Sequence, residues 1–530
     1  MFSPILVHDY LKLSATRFPD KEALVFGEER WTYKSIEEYS SCFGDVLLNI
    51  GVKSHDRVVI FMDNCPEIVI ALFGVLKARG TFVILNGSMK AGKLAYIMRD
   101  SGAEVLITHT GKAGVVLDAL SDVPHRCRVI WSGDPGRIPG KSSSRHMAWS
   151  TIFEAPERTG IRDRSGSSPG DSRCCIDTDL ASLVYTSGST GEPKGVMSSH
   201  YNMVSAARSI IQYLENTSDD IILNVLPLAF DYGIYQIMMA FMFGGTVVLE
   251  KSFLYPNKVL DLIQKENITG FPIVPTIAAL LLRMQNLSNF DFSSLRYITN
   301  TAAALPVDHI HKLRALFPHV KLYSMFGLTE CKRVSYLPPE ELDRRPLSVG
   351  KAIPNCEVFI VDGDGREVPP GEVGELVVRG ANVMCGYWNA PELTARTFRN
   401  GSRSGERLLH SGDFFRKDEE GFLYFVARKD EMIKSKGERV SPKEVENVLC
   451  GLKGIVEAAV IGVADEVLGQ AIKAFVSCDP EARLTEKDIL KHCTNHLEAF
   501  MIPKYVRFLP ELPRTSNGKV DKRLLRTDFP

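Results

Sequence analysis

Short apolar runs bounded by turn residues alternate with amphipathic stretches through most of this chain. Over residues 23–108, the β-prone runs 23–26, 57–62, 81–85 and 103–108 are separated by segments such as 66–78 with apolar positions at helical spacing. That rhythm predicts α/β layering. A strand is expected at 180–184 and a helix at 200–214, in the order strand, loop, helix. Further strand-like runs at 221–226, 246–249, 270–274, 295–299 and 320–325 alternate with helical stretches at 232–243, 256–266, 276–284 and 306–317. From residue 357 the texture changes to short strands and tight turns, and a small β-barrel-like part is expected there. Gly363 and Gly365 belong to such a turn and not to a dinucleotide fingerprint, because Val368 stands where the third glycine would fall. Residues 443–449 and 486–496 look helical, and 458–463, 471–477 and 505–508 look like strands. The fold class expected is therefore α/β: a large N-terminal domain of layered sheets over 1–429, followed by a small α+β domain over 430–530. Residues 132–179, rich in Ser, Gly, Pro and Arg, are expected to form an exposed, mobile connection.

Composition narrows the function classes. The 530 residues are too many for one core. A formal net charge of −1 provides no general attraction to nucleic acid or anionic membrane, so neither is an expected partner. Residues 1–17 include His8, Asp9 and Lys12 and read as neither signal peptide nor membrane span, and the longest apolar run, 237–243, is too short to cross a bilayer. Eleven scattered cysteines without Cys-x-x-Cys spacing argue against a disulfide framework or zinc site and for a reducing, cytoplasmic setting.

The chemistry concentrates in five stretches. Tyr185-Thr186-Ser187-Gly188-Ser189-Thr190-Gly191-Glu192-Pro193-Lys194-Gly195 offers convergent backbone N–H groups, hydroxyl donors and a mobile cation, a combination suited to polyphosphate. It is not a Walker A sequence, because Lys194 is followed by Gly195. In the second stretch, residues 226–233, an apolar strand end passes into a helix, with Asp231 in position to cap it. Residues 323–330 put the Thr329 hydroxyl and the Glu330 carboxylate at the end of a strand, where open α/β folds bind ligands. Residues 408–413 and 421–442 place Asp413 and Arg428 ahead of a charged turn, and residues 512–520 present Lys519 on a turn of its own.

Together and in this order, the five stretches resemble the signatures of the adenylate-forming superfamily, which includes acyl-CoA synthetases, peptide-synthetase adenylation domains and luciferases. The resemblance covers nearly the whole chain. It implies that Thr186, Ser187, Gly188, Ser189, Thr190, Gly191 and Lys194 cradle the phosphates of ATP, Phe326 flanks adenine, and Thr329 meets the α-phosphate. It also implies Glu330 as the Mg²⁺ ligand, Asp413 as the acceptor of the ribose hydroxyls with Arg428 beside it, and Lys519 as the lysine bridging the substrate carboxylate and the α-phosphate. The family's hinge falls at Asp430, and Lys434, Lys436 and Gly437 belong to the segment lining the thiol tunnel. The acid pocket is expected from Phe230, Asp231, Tyr232, Thr276, Thr301, Ala302, Ala303, Met325 and Gly327. Asp231 matches, as a single position, the aspartate that holds the substrate amine in peptide-synthetase domains. Three departures are local: Phe326, where the family more often has Tyr; Ala427, where relatives usually have an aspartate before the arginine or close to it; and residues 85–90, where relatives usually have a proline-rich turn.

The implied reaction is adenylation of a carboxylic acid followed by attack of a thiol, with ATP, Mg²⁺ and coenzyme A as cofactors. Residues 433–437 and 512–515 look more like those of acyl-CoA ligases, so an aryl or medium- to long-chain acid–CoA ligase is the first reading. The alternative is a stand-alone enzyme that loads a carrier-protein phosphopantetheine, with an acyl or peptidyl carrier protein as partner. A homodimer is allowed. A non-catalytic nucleotide-binding protein would be expected to lack Glu330 or Lys519, and nothing in the sequence favours a luciferase.

Overall fold

A computed structural model of the chain describes residues 4–124, 127–140, 145–153, 175–187, 192–403, 405–429, 431–435, 438–465, 469–479, 481–515 and 519–527. Two large sheets form the body. One runs in the order Lys351–Ala352, Ser335–Leu337, Lys321–Phe326, Tyr297–Asn300, Gly270–Ile273, Ile221–Asn224, Thr246–Leu249, Glu22–Phe26, Glu29–Thr32, parallel in its centre and antiparallel at both edges. The other runs Gly386–Tyr387, Pro193–Ser199, Leu180–Ser187, Thr81–Asn86, Arg57–Met62, Val105–His109, Arg128–Ser132, His146–Ala148. Central parallel strands covered on both faces read as unbroken apolar runs, and Arg57–Met62 is such a strand. Val58, Ile60 and Met62 enter the large core shared with the first sheet, while Val59 and Phe61 enter a separate core beneath the helices Ala91–Ser101 and Ala113–Ser121. The helix Pro66–Lys77 is buried nearly all round because it is apolar on every face, and Pro66 starts it at a position where no N–H is needed.

A five-stranded antiparallel sheet built on Val373–Gly380 and Arg407–Lys417 forms the small β part, and Leu423–Arg428 pairs with the latter strand. The C-terminal unit wraps the helices Pro442–Cys450 and Glu486–His496 on a sheet centred on Ile455–Asp465 and Gly469–Cys478, with its own apolar core. Lys522 ties this unit to the connecting segment through Glu431 at 3.3 Å and Glu446 at 2.8 Å, and the Ser441 hydroxyl donates to the carbonyl of Val426. Asp430 lies outside the described residues.

Three local expectations are corrected. The phosphate loop does not lead into a helix: Leu180–Ser187 and Pro193–Ser199 form an antiparallel hairpin, with Thr186 opposite Lys194, and the helix His200–Leu214 starts only after the second strand, at a Ser199/Asn202 capping box. Phe230, not Asp231, occupies the N-cap position of Asp231–Phe243, so Asp231 sits inside the first turn. Residues 132–179 are not a connection throughout: His146–Ala148 extends the second sheet, Trp149–Phe153 forms a helical turn behind it, and Trp131 Nε1 donates to His146 Nδ1 at 2.9 Å. Residues 154–174 lie outside the described part. At 85–90 the Asn86 side chain accepts from Ser88 N at 2.9 Å and shapes the turn.

Candidate active site

The site gathers at the carboxyl end of Lys321–Phe326 and the loop that follows. Gly327 allows this loop to double back, since a Cβ there would stand 2.3 Å from the Lys332 carbonyl oxygen. Val334 N returns a hydrogen bond to Phe326 O at 2.9 Å, and Lys332 takes a left-handed backbone, φ 65°, which turns its side chain inward. The same loop thereby carries Thr329 and Glu330 on one side and Lys332 and Arg333 on the other.

On the nucleotide side, Phe326 packs edge-on against Phe415 with ring centroids 4.9 Å apart, and Phe425 lies at 6.3 Å. Asp413 and Arg428 are cross-strand partners, with Arg428 Nε 3.3 Å from Asp413 Oδ1. Burial pushes the Asp413 carboxyl up to about 7 against the opposing pull of Arg428, and Oδ1 makes no hydrogen bond among the described residues. A buried carboxylate oxygen without a hydrogen bond suits two ligand hydroxyls. Glu330 Oε1 accepts from the Tyr387 hydroxyl at 2.7 Å, and its backbone carbonyl accepts from Met384 N at 2.9 Å. No cluster of three or more His, Cys, Asp or Glu residues suited to a metal occurs among the described residues, so a cation at Glu330 would draw its other ligands from phosphate and water, as Mg²⁺ commonly does. Lys519 enters from the C-terminal unit on a hairpin closed by the Thr515 N to Lys519 O bond of 2.8 Å. Its side chain keeps access to solvent at the mouth of the cleft. Desolvation by the cleft walls nevertheless lowers its pKa, against the opposing pull of the Asp231, Asp413 and Glu330 carboxylates around it.

At the phosphate hairpin, the Tyr185 hydroxyl donates to Asp100 at 2.5 Å and Trp388 N to Gly195 O at 2.8 Å, which pins the hairpin's base. Thr186 and Lys194 face each other there, Ser187 ends the first strand, and Gly188, Ser189, Thr190 and Gly191 lie outside the described residues. Lys434 contributes backbone to the strand Ile433–Ser435, while Lys436 and Gly437 lie outside the described residues.

On the acid side, Asp231 and Tyr235 share one face of their helix and line a narrow cavity with Thr329, Lys332, Ile234, Ser182 and other residues. Lys332 lies 3.5 Å from Asp231 and its ammonium stands 4.0 Å from the centre of the Tyr235 ring. Burial pulls Lys332 down to about 7, although Asp231 opposes the shift. Arg333 donates to the Thr301 hydroxyl at 2.6 Å and lies 5.4 Å from the centre of the Tyr232 ring, whose own hydroxyl contacts Thr299. Phe230 meets Tyr232 edge-on at 6.3 Å. Met325 is buried with its sulfur 3.0 Å from the Tyr213 hydroxyl, Ala302 takes a left-handed backbone at φ 75°, and the Ala303 carbonyl accepts from Asn300. Thr276 is half-buried in the first turn of Pro275–Arg283, and no hydrogen bond among the described residues ties it to the others.

Sequence motifs did not point to Lys332, Arg333, Tyr235 or Tyr387. The available signal was Lys332-Arg333 itself, two adjacent cations between Cys331 and Val334, both of which are fully buried.

Residues 11–388 match the family model for AMP-binding enzymes, and residues 444–519 match that of the AMP-binding enzyme C-terminal domain. The chain belongs to the AMP-binding enzyme family, and the membership of the adenylate-forming superfamily read from its motifs is borne out. A 3-[(3aS,4S,7aS)-7a-methyl-1,5-dioxo-octahydro-1H-inden-4-yl]propanoyl:CoA ligase of Rhodococcus jostii (strain RHA1) is 30% identical, with 99% of each chain covered. A long-chain-fatty-acid–CoA ligase of Escherichia coli O6:H1 is 31% identical over 98% of this chain and 94% of its own. Among solved structures, the anthranilate CoA ligase AuaEII in complex with anthranoyl-AMP superposes with a TM-score of 0.87 at 26% identity, covering 99% of this chain and 98% of its own. No helix among the described residues is long and apolar enough to cross a membrane.

Proposed function

We propose that this chain is an AMP-forming acid–thiol ligase that activates a carboxylic acid with ATP and transfers the acyl group to coenzyme A. What supports the reading is the match of the chain to the AMP-binding enzyme family together with the pull of the Asp231, Asp413 and Glu330 carboxylates on the Lys519 ammonium, opposed by desolvation.

A carboxylate is a poor acyl donor because its leaving group would be oxide. In the first step a carboxylate oxygen attacks the α-phosphorus of ATP; the new O–P bond forms as the bond to the β-phosphate oxygen breaks, and pyrophosphate leaves. The protein's task is to bring two anions together and absorb the charge that shifts between them. Lys519 bridges the acid and the α-phosphate, Thr329 donates to that phosphate, and the 186–194 hairpin holds the outgoing phosphates. Asp413 accepts from the ribose hydroxyls, with Arg428 fixing its position, and Phe326 forms a wall for the adenine. Glu330, oriented by Tyr387, would hold Mg²⁺, and the ion would supply charge neutralisation at the phosphates. In the second step the thiol sulfur attacks the acyl carbon, the bond to the AMP oxygen breaks, and AMP leaves. A small C-terminal domain beginning at the connection around residue 430 moves between these steps, as in other lid-gated enzymes.

The test is pyrophosphate release by the purified chain with ATP, Mg²⁺ and a panel of aliphatic and aryl acids, with and without coenzyme A. Release that depends on an acid and quickens with coenzyme A supports the ligase. Release indifferent to coenzyme A assigns the acyl group to a carrier-protein phosphopantetheine, and no acid-dependent release at all contradicts the reading.

A further inference from the structure

We propose that the acid activated here is a dicarboxylic acid, whose second carboxylate is held by Lys332 and Arg333. The proposal rests on the acid-activating reading above and adds the charge of the substrate to it. Lys332 and Arg333 are 3% and 2% exposed, respectively. Neither is at the surface, and each is turned inward by the doubled-back loop that Gly327 permits. Buried charges are as a rule paired, because an uncompensated one is strongly unfavourable in a low-dielectric interior. Lys332 has Asp231 at 3.5 Å. Arg333 has two hydroxyl partners, Thr301 and Tyr213, and an aromatic neighbour in Tyr232, but among the described residues it has no carboxylate within ion-pair distance and no hydrogen bond at Nε. Lys332, pulled down to about 7 by burial, is only partly charged near neutral pH and already faces Asp231, so Arg333 is the buried cation left without a carboxylate partner among the described residues.

A ligand anion completes this balance. The Tyr235 hydroxyl, in a residue 3% exposed, also lacks a hydrogen-bond partner, and Tyr235 lines the same narrow cavity as Lys332, Asp231 and Thr329. The Lys332 ammonium and the Tyr235 phenol line this cavity, and the Arg333 guanidinium follows one residue further along the loop, a set of donors suited to a carboxylate, which arginine's planar fork serves best. An amino acid fits worse. Asp231, the carboxylate that would take its amine, already faces Lys332, and an ammonium would add a third cation to the cluster. A plain hydrocarbon chain fits worst, because methylenes would leave Arg333 without a counter-charge.

The experiment is ATP–pyrophosphate exchange by the full chain with succinate, glutarate, adipate and isophthalate, against butyrate, valerate, hexanoate and benzoate, and against β-alanine and 4-aminobutyrate. The expected result is at least one dicarboxylate preferred over its monocarboxylate counterpart on the order of 100-fold in kcat/KM. In Arg333→Met and in Lys332→Met that ratio falls by about tenfold or more, and Arg333→Lys recovers part of it. The ratio is read within each variant, so a loss of folded protein does not mimic the effect. Exchange with monocarboxylates as good as with dicarboxylates overturns the proposal while leaving the ligase reading in place. Preference for the amino acids overturns it in favour of an amine site at Asp231. Absence of exchange with every acid, in a protein that melts cooperatively, overturns the ligase reading and the proposal with it.

Discussion

The two sides of the site are built from one loop yet differ in kind. On the side proposed for the nucleotide the charged groups are opposite in sign: Asp413 faces Arg428, and the Asp413 and Glu330 carboxylates pull on Lys519. On the side proposed for the acid, Lys332 and Arg333 lie side by side in the interior, with Asp231 the one carboxylate in ion-pair contact with them among the described residues. On the proposal made above, chemistry common to the family is carried by motifs, whereas the choice of acid is carried by the charge this chain buries beside them. Substitutions on the two sides should therefore separate: one set changes the step or the use of ATP, the other the choice of acid.

The largest effect is expected from Lys519→Ala, which removes the cation that joins the two reacting anions. Adenylation measured by pyrophosphate release should fall on the order of 100- to 1,000-fold in kcat, with the melting temperature unchanged because Lys519 sits on a surface hairpin of the C-terminal unit. Equal loss of ATP binding would assign Lys519 to the nucleotide alone and break the comparison. Next, Asp413→Asn should raise the KM for ATP on the order of 30-fold while leaving the order of preference among acids intact. The wild-type KM for ATP should also rise as pH falls through about 7, where the Asp413 carboxyl takes up a proton and ceases to be a full acceptor. Gly327→Ala works on the other side. Its Cβ would stand 2.3 Å from the Lys332 carbonyl, so the loop must shift. Discrimination among acids in the exchange assay should drop about tenfold, and because the same loop carries Thr329 and Glu330 the KM for ATP should rise as well, by a smaller factor.

The smallest contrast lies outside both sides. His200 accepts from Val7 N at 3.1 Å, and its ring lies 5.5 Å from that of His8. Burial holds His200 down to about 4 and His8 to about 3. Both rings stay neutral in the folded chain down to those values, while in the unfolded chain they take protons from about pH 6.5 downward. Stability from this pair is complete above pH 6.5 and declines as pH falls toward 4, by about 3 kcal/mol for His200 alone. Melting curves at pH 7.5 and 4.5 for wild type and His200→Gln should show a smaller acid shift in the variant; an equal shift would place the acid sensitivity elsewhere.

Much of this was legible in the sequence, for physical reasons that can be named. Val58 to Met62 is apolar at every position because both faces are covered, so the strand was plain. Asp413, Glu330 and Lys519 sit in local patterns that announce themselves one by one, and the fold brings them together. The hairpin at the phosphate loop was missed because Val196 to Ser199, a short strand followed at once by a capped helix, is easily absorbed into the loop. His146–Ala148 was hidden in a polar stretch because an edge strand of three residues needs little apolar signal of its own. Lys332 and Arg333 were missed because lysine and arginine in a loop read as solvated. Their burial follows from a left-handed residue and a glycine contact that only the tertiary structure contains.

The most direct test of the central claim is a single-turnover experiment: enzyme in excess, ATP labelled in the adenine ring, Mg²⁺ and the best acid from the exchange panel, followed by a chase with coenzyme A. An enzyme-bound acyl-adenylate should accumulate before the chase, with one equivalent of pyrophosphate, and disappear after it into AMP and the acyl-CoA thioester in equal amounts. Formation of ADP, or of AMP with no acyl-adenylate preceding it, would contradict the account.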